Sequence, residues 1–275
     1  MTGRDRRPPS FADACEAVLA APSGEHSAAT SLAPIHARTI PDGWGERRAR
    51  LVASRFSPDV DRVLELGCDT GRLLRHLDDG YDAVGVDDRR DHLRFAAALG
   101  ASVVAGDPVR PPLRPAFDGV CAVEPAVGRA SPVDLGVAAY GALRPGGIVV
   151  IAAPTAPTAV VEPGVETYSG SRYLLERAVD VAADGAVAVD YRVTDRRTGD
   201  TAVATERRRI ETTTADGLTA ALHTAGFERV LVAGESDLPG VVVGTGVRPV
   251  ETGETTDALA PPLPDPDDGR DRRQD

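Results

Sequence analysis

The sequence of 275 residues contains no lysine, so all 31 of its basic side chains are arginines, against 42 acidic side chains. The net charge of -11 disfavours nucleic acid as a partner, because an acidic surface repels polyphosphate. Such acidity fits a salt-adapted, halophilic cytoplasm, where salt screens charge repulsion. A GC-rich genome explains the arginine bias equally well.

Cysteine and long apolar runs are also scarce. The three cysteines are far apart, so we interpret them as small core residues in a reducing compartment and predict neither a disulfide nor a metal site. No apolar run approaches the length that spans a membrane. The first ten residues are charged and no apolar segment of a signal peptide follows them. These absences predict a soluble cytoplasmic protein without a membrane partner.

The most informative stretch is an apolar run followed by a glycine-bracketed turn. Residues 63–66 form the apolar run, Gly67 and Gly71 bracket the turn, and leucines then recur at helical spacing. A ligand at this turn would meet backbone N–H groups at a helix N-terminus. Asp87 ends the next apolar run, 20 residues after Gly67. At that spacing a carboxylate reaches a ribose hydroxyl pair across two adjacent strands.

Strand and helix patterns alternate up to about residue 152, which predicts an α/β fold with a doubly wound, Rossmann-like sheet that is mostly parallel. The pattern then changes. Residues 173–181 fit a helix or a strand, and residues 186–210 predict a hairpin. A helix closed by Gly226 and two final strands, at 227–233 and 241–247, complete the sheet with antiparallel strands near the C-terminus.

The segment Glu65-Leu66-Gly67-Cys68-Asp69-Thr70-Gly71 resembles the first motif of the class I S-adenosylmethionine (SAM) methyltransferases. Further landmarks of that family follow in the same order, namely Asp87, Gly106-Asp107, Phe117-Asp118-Gly119-Val120 and Leu143-Arg144-Pro145-Gly146-Gly147. The similarity covers residues 44–154, and more loosely the chain up to residue 247. It implies a SAM-dependent methyltransferase (EC 2.1.1.-) that uses S-adenosyl-L-methionine to methylate a small-molecule nucleophile.

The resemblance also assigns roles to residues of the cofactor site. Gly67 and Gly71 would hold the methionine part, Asp87 the ribose hydroxyls and Asp107 the adenine amine, while Glu65 would orient the turn or the amino group of the cofactor. The sequence departs from the family pattern at two positions. Asp69 replaces the middle glycine of the motif, and Pro108 removes the backbone N–H after Asp107.

Candidates for the acceptor side are fewer. Glu124 follows strand four at the ligand-binding edge of the sheet, so it is the first candidate for the catalytic base, with a solvent-facing loop acid as the alternative. His36 and Trp44 precede the first motif and are candidates for the substrate pocket or lid, although Trp44 also fits a core anchor. We interpret the other helical histidines, His76, His92 and His223, as surface residues. The basic run 207–209 is interpreted as a solvated strand face in preference to an anion site.

The predicted organisation is an N-terminal arm or lid over residues 1–43, partly disordered, a SAM-dependent methyltransferase domain over 44–247 and an acidic disordered tail over 248–275. A nicotinamide dehydrogenase is disfavoured because Asp69 and Arg72 stand where Gly-x-Gly-x-x-Gly requires glycine. A methyltransferase acting on RNA is disfavoured by net acidity, and one acting on protein remains an alternative. A non-catalytic SAM-fold binding or regulatory protein also remains an alternative, because of Asp69 and Pro108.

Overall fold

The computed structural model describes residues 8–21, 31–123 and 129–250. The helices in this part of the chain are α1 (Phe11–Ala20), α2 (Ala33–Thr39), α3 (Trp44–Arg55), α4 (Leu74–Leu77), α5 (Arg90–Ala98), α6 (Pro132–Ala142) and α7 (Ala215–Thr224), with a 3-10 turn at Pro157–Ala159. The strands are β1 (Arg62–Leu66), β2 (Asp82–Asp87), β3 (Val103–Ala105), β4 (Phe117–Ala122), β5 (Leu143–Pro154), β6 (Gly164–Ser169), β7 (Tyr173–Val181), β8 (Ala186–Asp195), β9 (Thr201–Arg209), β10 (Glu228–Glu235) and β11 (Leu238–Val247).

Within the described residues, seven strands form the larger sheet in the order β10-β11-β5-β4-β1-β2-β3. The pairs among β1 to β5 are parallel, and β11 joins β5 and β10 antiparallel. This arrangement confirms the predicted α/β, mostly parallel Rossmann-like sheet with antiparallel strands near the C-terminus. Because β1 lies at the centre, the carboxyl ends of β1 and β2 meet at one edge of the sheet, where ligands bind in such folds.

Helices cover both faces of the larger sheet, since successive side chains of a strand point to opposite faces. Val63 of β1 joins the core beneath α3, α4 and α5, whereas its neighbour Leu64 joins the core beneath α6 and α7. Both side chains are fully buried. Burial on both faces explains why the central strands are continuous apolar runs in the sequence.

A second, antiparallel sheet has the order β6-β7-β8-β9. Its β8–β9 pair confirms the hairpin predicted for residues 186–210, and residues 173–181 form a strand, not a helix. The helices α1 and α2 pack on one face of this sheet through Cys15, Val18 and Ile35. The described part of the predicted N-terminal arm, including α2, therefore packs on the small sheet.

Side chains cap some of the described helix termini and leave others uncapped. Ser131 accepts a hydrogen bond from the backbone N–H of Asp134 at 3.1 Å and starts α6. Helix α5 begins after Arg89 without a side-chain cap. The helix expected after the first motif shortens to the single turn Leu74–Leu77. Among the described helices, none is long and apolar enough to cross a membrane.

Candidate functional site

The turn after β1 is tied to the end of β2 by its backbone. Gly67 and Gly71 have φ angles of 76° and 71°, in the left-handed region that favours glycine. The N–H of Gly67 donates to the carbonyl of Val86 at 2.7 Å. A Cβ atom on Gly71 would lie 2.9 Å from the Cβ of Ala96, so this glycine also permits close packing of the turn against α5.

Asp87 is fully buried at the end of β2, directly beneath this turn. Its Oδ2 accepts hydrogen bonds from the backbone N–H of Asp69 at 3.0 Å and from Nη2 of Arg129 at 3.2 Å. Its Oδ1 accepts from the backbone N–H of Arg89 at 2.9 Å. The structure thus brings Asp87 to Gly67 and Gly71, as the spacing predicted, and holds the carboxylate through three donors.

Asp69 carries a side chain where the family motif has glycine, and it adopts a left-handed φ of 51°. Its carboxylate contacts residues of α5 and the position before it. There Oδ1 contacts Nδ1 of His92 and lies 3.7 Å from Nη1 of Arg89. Burial opposes ionisation, but His92 and Arg89 hold the pKa of Asp69 well below its usual range. The extra negative charge is therefore neutralised by α5 and its preceding loop.

The structure corrects the sequence interpretation of His92. We expected a surface residue, but its side chain is completely buried against Asp69. The sequence contains a signal that points to this role, because the acidic side chain that replaces a motif glycine needs a buried partner.

A small pocket lies at the carboxyl end of β1, next to the glycine turn. Glu65, Thr70 and Arg72 line it, together with Ile40 and Trp44 from the preceding segment. Oε2 of Glu65, Oγ1 of Thr70 and Nε of Arg72 are buried and have no hydrogen-bond partner among the described residues. Burial, with Asp69 and Asp87 nearby, raises the pKa of Glu65 to about 8. The pocket thus offers a carboxyl, a hydroxyl and a guanidinium N–H to a ligand.

A larger cavity of about 500 Å³ lies between the two sheets and shares Ile40, Trp44 and Asp69 with the small pocket. Of the predicted acceptor-side residues, the structure places His36 and Trp44 on its wall. The guanidinium of Arg48 stacks on the Trp44 ring at 4.3 Å from the ring centroid.

His36 links the two sheets through a charged network. Its Nε2 lies 2.8 Å from Oε2 of Glu206 on β9, and its Nδ1 lies 3.1 Å from Nη2 of Arg89. The hydroxyl of Tyr191 also donates to Oε2 of Glu206 at 3.4 Å. Burial lowers the pKa of His36. Burial also opposes the ionisation of Glu206, but the hydrogen bond from His36 and the nearby arginines lower its pKa, so Glu206 remains a carboxylate.

Glu206 and Arg208 are functional candidates that sequence reasoning missed. Both line the large cavity, and both lie on the face of β9 opposite to Arg207. The expectation of a solvated face holds for Arg207 and Arg209, which are exposed, but it is wrong for Arg208. The period of two along a strand is the signal that separates these neighbours.

Comparison of the sequence with protein-family models and with curated proteins gives no match. Solved structures do match the fold. The sugar N-methyltransferase KedS8 from Streptoalloteichus is 21% identical with a TM-score of 0.67, over 84% of this chain and 98% of that chain. CalS10, a SAM-bound amino pentose methyltransferase from Micromonospora echinaspora, is 22% identical with a TM-score of 0.62, over 78% of this chain and 95% of that chain.

A third neighbour, the CcbJ methyltransferase from Streptomyces caelestis, is 19% identical with a TM-score of 0.61, over 82% of this chain and 100% of that chain. The chain has the class I SAM-dependent methyltransferase fold. The family resemblance that the motifs carry is thereby confirmed at the level of the fold, and the glycine turn occupies its expected place between β1 and the following helix.

Asp107 and Glu124 are the remaining site residues that the sequence predicted. Asp107 is exposed after β3, where its Oδ1 accepts a hydrogen bond from the backbone N–H of Val109 at 3.0 Å. Its contact with adenine stays a prediction. Glu124 lies outside the described residues, so its role as the base also stays a prediction.

One group in the described part of this methyltransferase fold has the composition of a metal site. Ligand atoms of His36, Asp69 and His92 lie within 4.8 Å of one another. The guanidinium of Arg89, however, contacts all three of these side chains. Arg89 therefore supplies positive charge at the place where a cation would bind, and the sequence expectation of no metal stays a prediction.

Proposed function

We propose that this protein transfers the methyl group of S-adenosyl-L-methionine to a small-molecule nucleophile bound in the cavity between the two sheets. One observation carries the proposal. Three buried side-chain atoms on Glu65, Thr70 and Arg72 have no partner in the described part of the chain, and their residues line the small pocket beside the glycine turn. Buried polar groups are normally hydrogen-bonded, so three such atoms at one place indicate a ligand with complementary polar groups.

The donor set fits the amino-acid part of SAM. A carboxylate at Glu65 would accept hydrogen bonds from the α-ammonium group, while Nε of Arg72 and Oγ1 of Thr70 would donate to the α-carboxylate. Asp87, at the adjacent strand end, would accept from the ribose hydroxyls. When bound, SAM supplies a methyl group on a sulfonium, which transfers in line to a nucleophile. The protein contributes position and exclusion of water.

The large cavity supports the acceptor side of the proposal. It opens onto the small pocket through the shared residues Ile40, Trp44 and Asp69, so a molecule in it would lie next to the cofactor. Its volume of about 500 Å³ suits a single small molecule and not a folded macromolecule. The neighbours KedS8 and CalS10 are methyltransferases of sugars, which supports an acceptor of sugar size.

One feature of the site favours the alternative of a non-catalytic SAM-fold binding or regulatory protein. The small pocket leaves a free volume of only about 10 Å³, and Arg129 already binds the carboxylate of Asp87. Binding of SAM would therefore require Trp44 or Arg129 to move. A protein that keeps this closed arrangement would bind a partner through the fold without turnover, and measurable methyl transfer distinguishes the two functions.

The experiment is calorimetric titration of SAM and of S-adenosylhomocysteine (SAH) into the protein at low and high salt, followed by a screen of amino- and hydroxy-sugars for acceptor-dependent SAH release. Asp87→Ala is expected to weaken cofactor binding by about 100-fold, since it removes a charged acceptor. Asp82→Ala is the matched control, because Asp82 is exposed at the opposite end of β2. Absence of binding to the wild-type protein at either salt would reject the proposal.

A further inference from the structure

The large cavity contains an arginine side chain, Arg208, with a buried nitrogen atom. Nε of Arg208 is buried and has no hydrogen-bond partner among the described residues. Arg208 lies in β9, opposite Val187 of β8, on the face of the small sheet that lines the cavity. A buried guanidinium N–H without a partner carries the full cost of its desolvation, so its place in a cavity indicates a ligand.

Among the described residues that line the cavity, the other arginines are exposed or already engaged, which leaves Arg208 as the available interior cation. Arg47 is exposed, and its Nη1 donates to a backbone carbonyl at 3.4 Å. Arg177, also on the inner face of the small sheet, binds Glu166 through Nη1 at 2.7 Å. Arg48 lies against the Trp44 ring. The carboxylate nearest to Arg208 along its strand, Glu206, is held by His36 at 2.8 Å and lies 3.9 Å from Arg89.

The remaining carboxylates do not oppose an anion in the interior of the cavity. Asp69 is compensated by His92 and Arg89. Glu162 and Asp237 are exposed, so they lie where the cavity meets solvent and water screens their charge. The carboxylates inside the cavity are thus paired with cations, and the two others are exposed to solvent. The positive charge of Arg208 is therefore not neutralised inside the cavity.

We infer that Arg208 binds an anionic group, a carboxylate or a phosphate, on the methyl acceptor, so that the acceptor class is small organic acids or phosphate esters that bear the nucleophile. The planar guanidinium presents paired donors that match both anions. This inference rests on the proposed function for the identity of the ligand as the acceptor. The anion site itself rests only on Arg208 and the cavity.

The test uses the full-length protein with SAH at saturation and follows the binding of inorganic phosphate and, separately, of acetate, by calorimetry at constant ionic strength set with sodium chloride. Saturable binding at millimolar concentration is expected for at least one of the two anions. Phosphate and acetate distinguish a phosphate ester from a carboxylic acid as the acceptor class. Arg208→Gln is expected to weaken binding at least tenfold.

Arg207→Gln is the matched control, because Arg207 is the adjacent arginine on the exposed face of the same strand, and it is expected to change anion affinity less than twofold. Arg208→Lys retains the positive charge but lacks the planar, paired donors of the guanidinium. We expect its anion affinity to lie between those of the wild type and Arg208→Gln. This variant also provides a second reading should Arg208→Gln fail to fold. Equal anion affinity in the wild type and the folded Arg208 variants would overturn the inference.

The same titration separates this inference from the proposed function. If the anion displaces SAH, Arg208 belongs to the cofactor site and the inference is overturned. If SAH does not bind at all, the proposed function fails, while titration of the protein without SAH still decides whether Arg208 binds anions. If SAH and the anion bind together and only the Arg208 variants lose the anion, the assignment to the acceptor stands.

Discussion

The two sheets of this molecule differ in how they are buried and in what they contribute to the candidate site. The central strands of the larger sheet are buried on both faces, and Leu64 and Val120 have no exposed surface. In the small sheet β8 alternates between buried and half-exposed or exposed side chains, with Val187 and Val193 buried on the inner face. The larger sheet supplies the glycine turn and Asp87, whereas the small sheet supplies Glu206 and Arg208.

In the proposed function, the larger sheet binds the cofactor and the small sheet contributes to binding of the acceptor. The predicted cofactor contacts come from backbone and carboxylates at strand ends of the larger sheet, where sequence spacing fixes them. The proposed acceptor cavity is lined in part by side chains of β7, β8 and β9, which one face of the small sheet presents. Changes in the small sheet should therefore alter acceptor use without altering cofactor affinity.

The largest expected effect compares core deletions in the two sheets. Leu64→Ala and Leu175→Ala each remove a fully buried side chain, so each should lower the free energy of unfolding by about 2–5 kcal/mol. Because Leu64 supports the strand that precedes the glycine turn, Leu64→Ala should also weaken SAH binding. Leu175→Ala should leave SAH affinity at 25 °C within twofold, as measured by urea unfolding and calorimetry on the same samples.

The exposed Leu231→Ala is the control for side-chain truncation, since 73% of that residue's surface is accessible, and it should change stability by less than about 0.5 kcal/mol. Loss of SAH binding in folded Leu175→Ala would show that the small sheet shapes the cofactor site and would end the proposed division between the sheets.

Most of the larger sheet could be predicted from the sequence because its signals are local. A strand buried on both faces is a continuous apolar run, and each run here ends in a turn residue or an acid, as at Gly67 and Asp87. The cap of α6 is equally local, because the hydroxyl of Ser131 bonds a backbone N–H only three residues along the chain.

The cavity wall could not be predicted in the same way. Residues 205–209 of β9 are all polar, so their alternation gives no contrast between an inner and an outer face. Only the pairing of β9 with β8 shows that Arg208 and Glu206 share a face with Val187 and Val189. His92 was misjudged for a related reason, because its burial depends on Asp69, which lies 23 residues earlier in the chain.

Glu206→Gln tests the proposed role of the small sheet in acceptor binding, and we expect an effect of intermediate size on methyl transfer. The change removes the negative charge between His36 and Arg89 and weakens the charge-assisted hydrogen bond to His36. We expect kcat/KM for methyl transfer to fall about 10- to 100-fold, with SAH affinity unchanged within twofold. Transfer is measured as SAH release with an acceptor found in the sugar screen.

Glu176→Gln is the control for this charge change, because Glu176 lies on the outer face of β7, 3.8 Å from Arg192. It should alter neither transfer nor SAH affinity. If Glu206→Gln instead weakens SAH binding tenfold while transfer at saturating SAM is normal, the network from His36 to Asp69 serves the cofactor and not the acceptor.

The last comparison tests the cofactor side through the pH dependence of stability and of SAH binding. Burial raises the pKa of Glu65 from an ordinary 4.5 to about 8, so the folded protein holds a proton that the unfolded chain releases near pH 4.5. The free energy of unfolding should therefore fall as pH rises from about 4.5 to 8 and change no further through this group above that range. A ligand ammonium needs the carboxylate form, so ligand binding must expel the same proton.

SAH affinity is accordingly expected to rise with pH up to about 8 by at most about tenfold per pH unit, and to level off above it. Glu65→Gln should remove this slope and bind SAH with a weak affinity that is independent of pH over the same range. Calorimetry in two buffers of different ionisation enthalpy measures the proton released on binding. Identical slopes in the wild type and Glu65→Gln would mean that the ammonium binds elsewhere, because only Glu65 among these residues loses its titration in the variant.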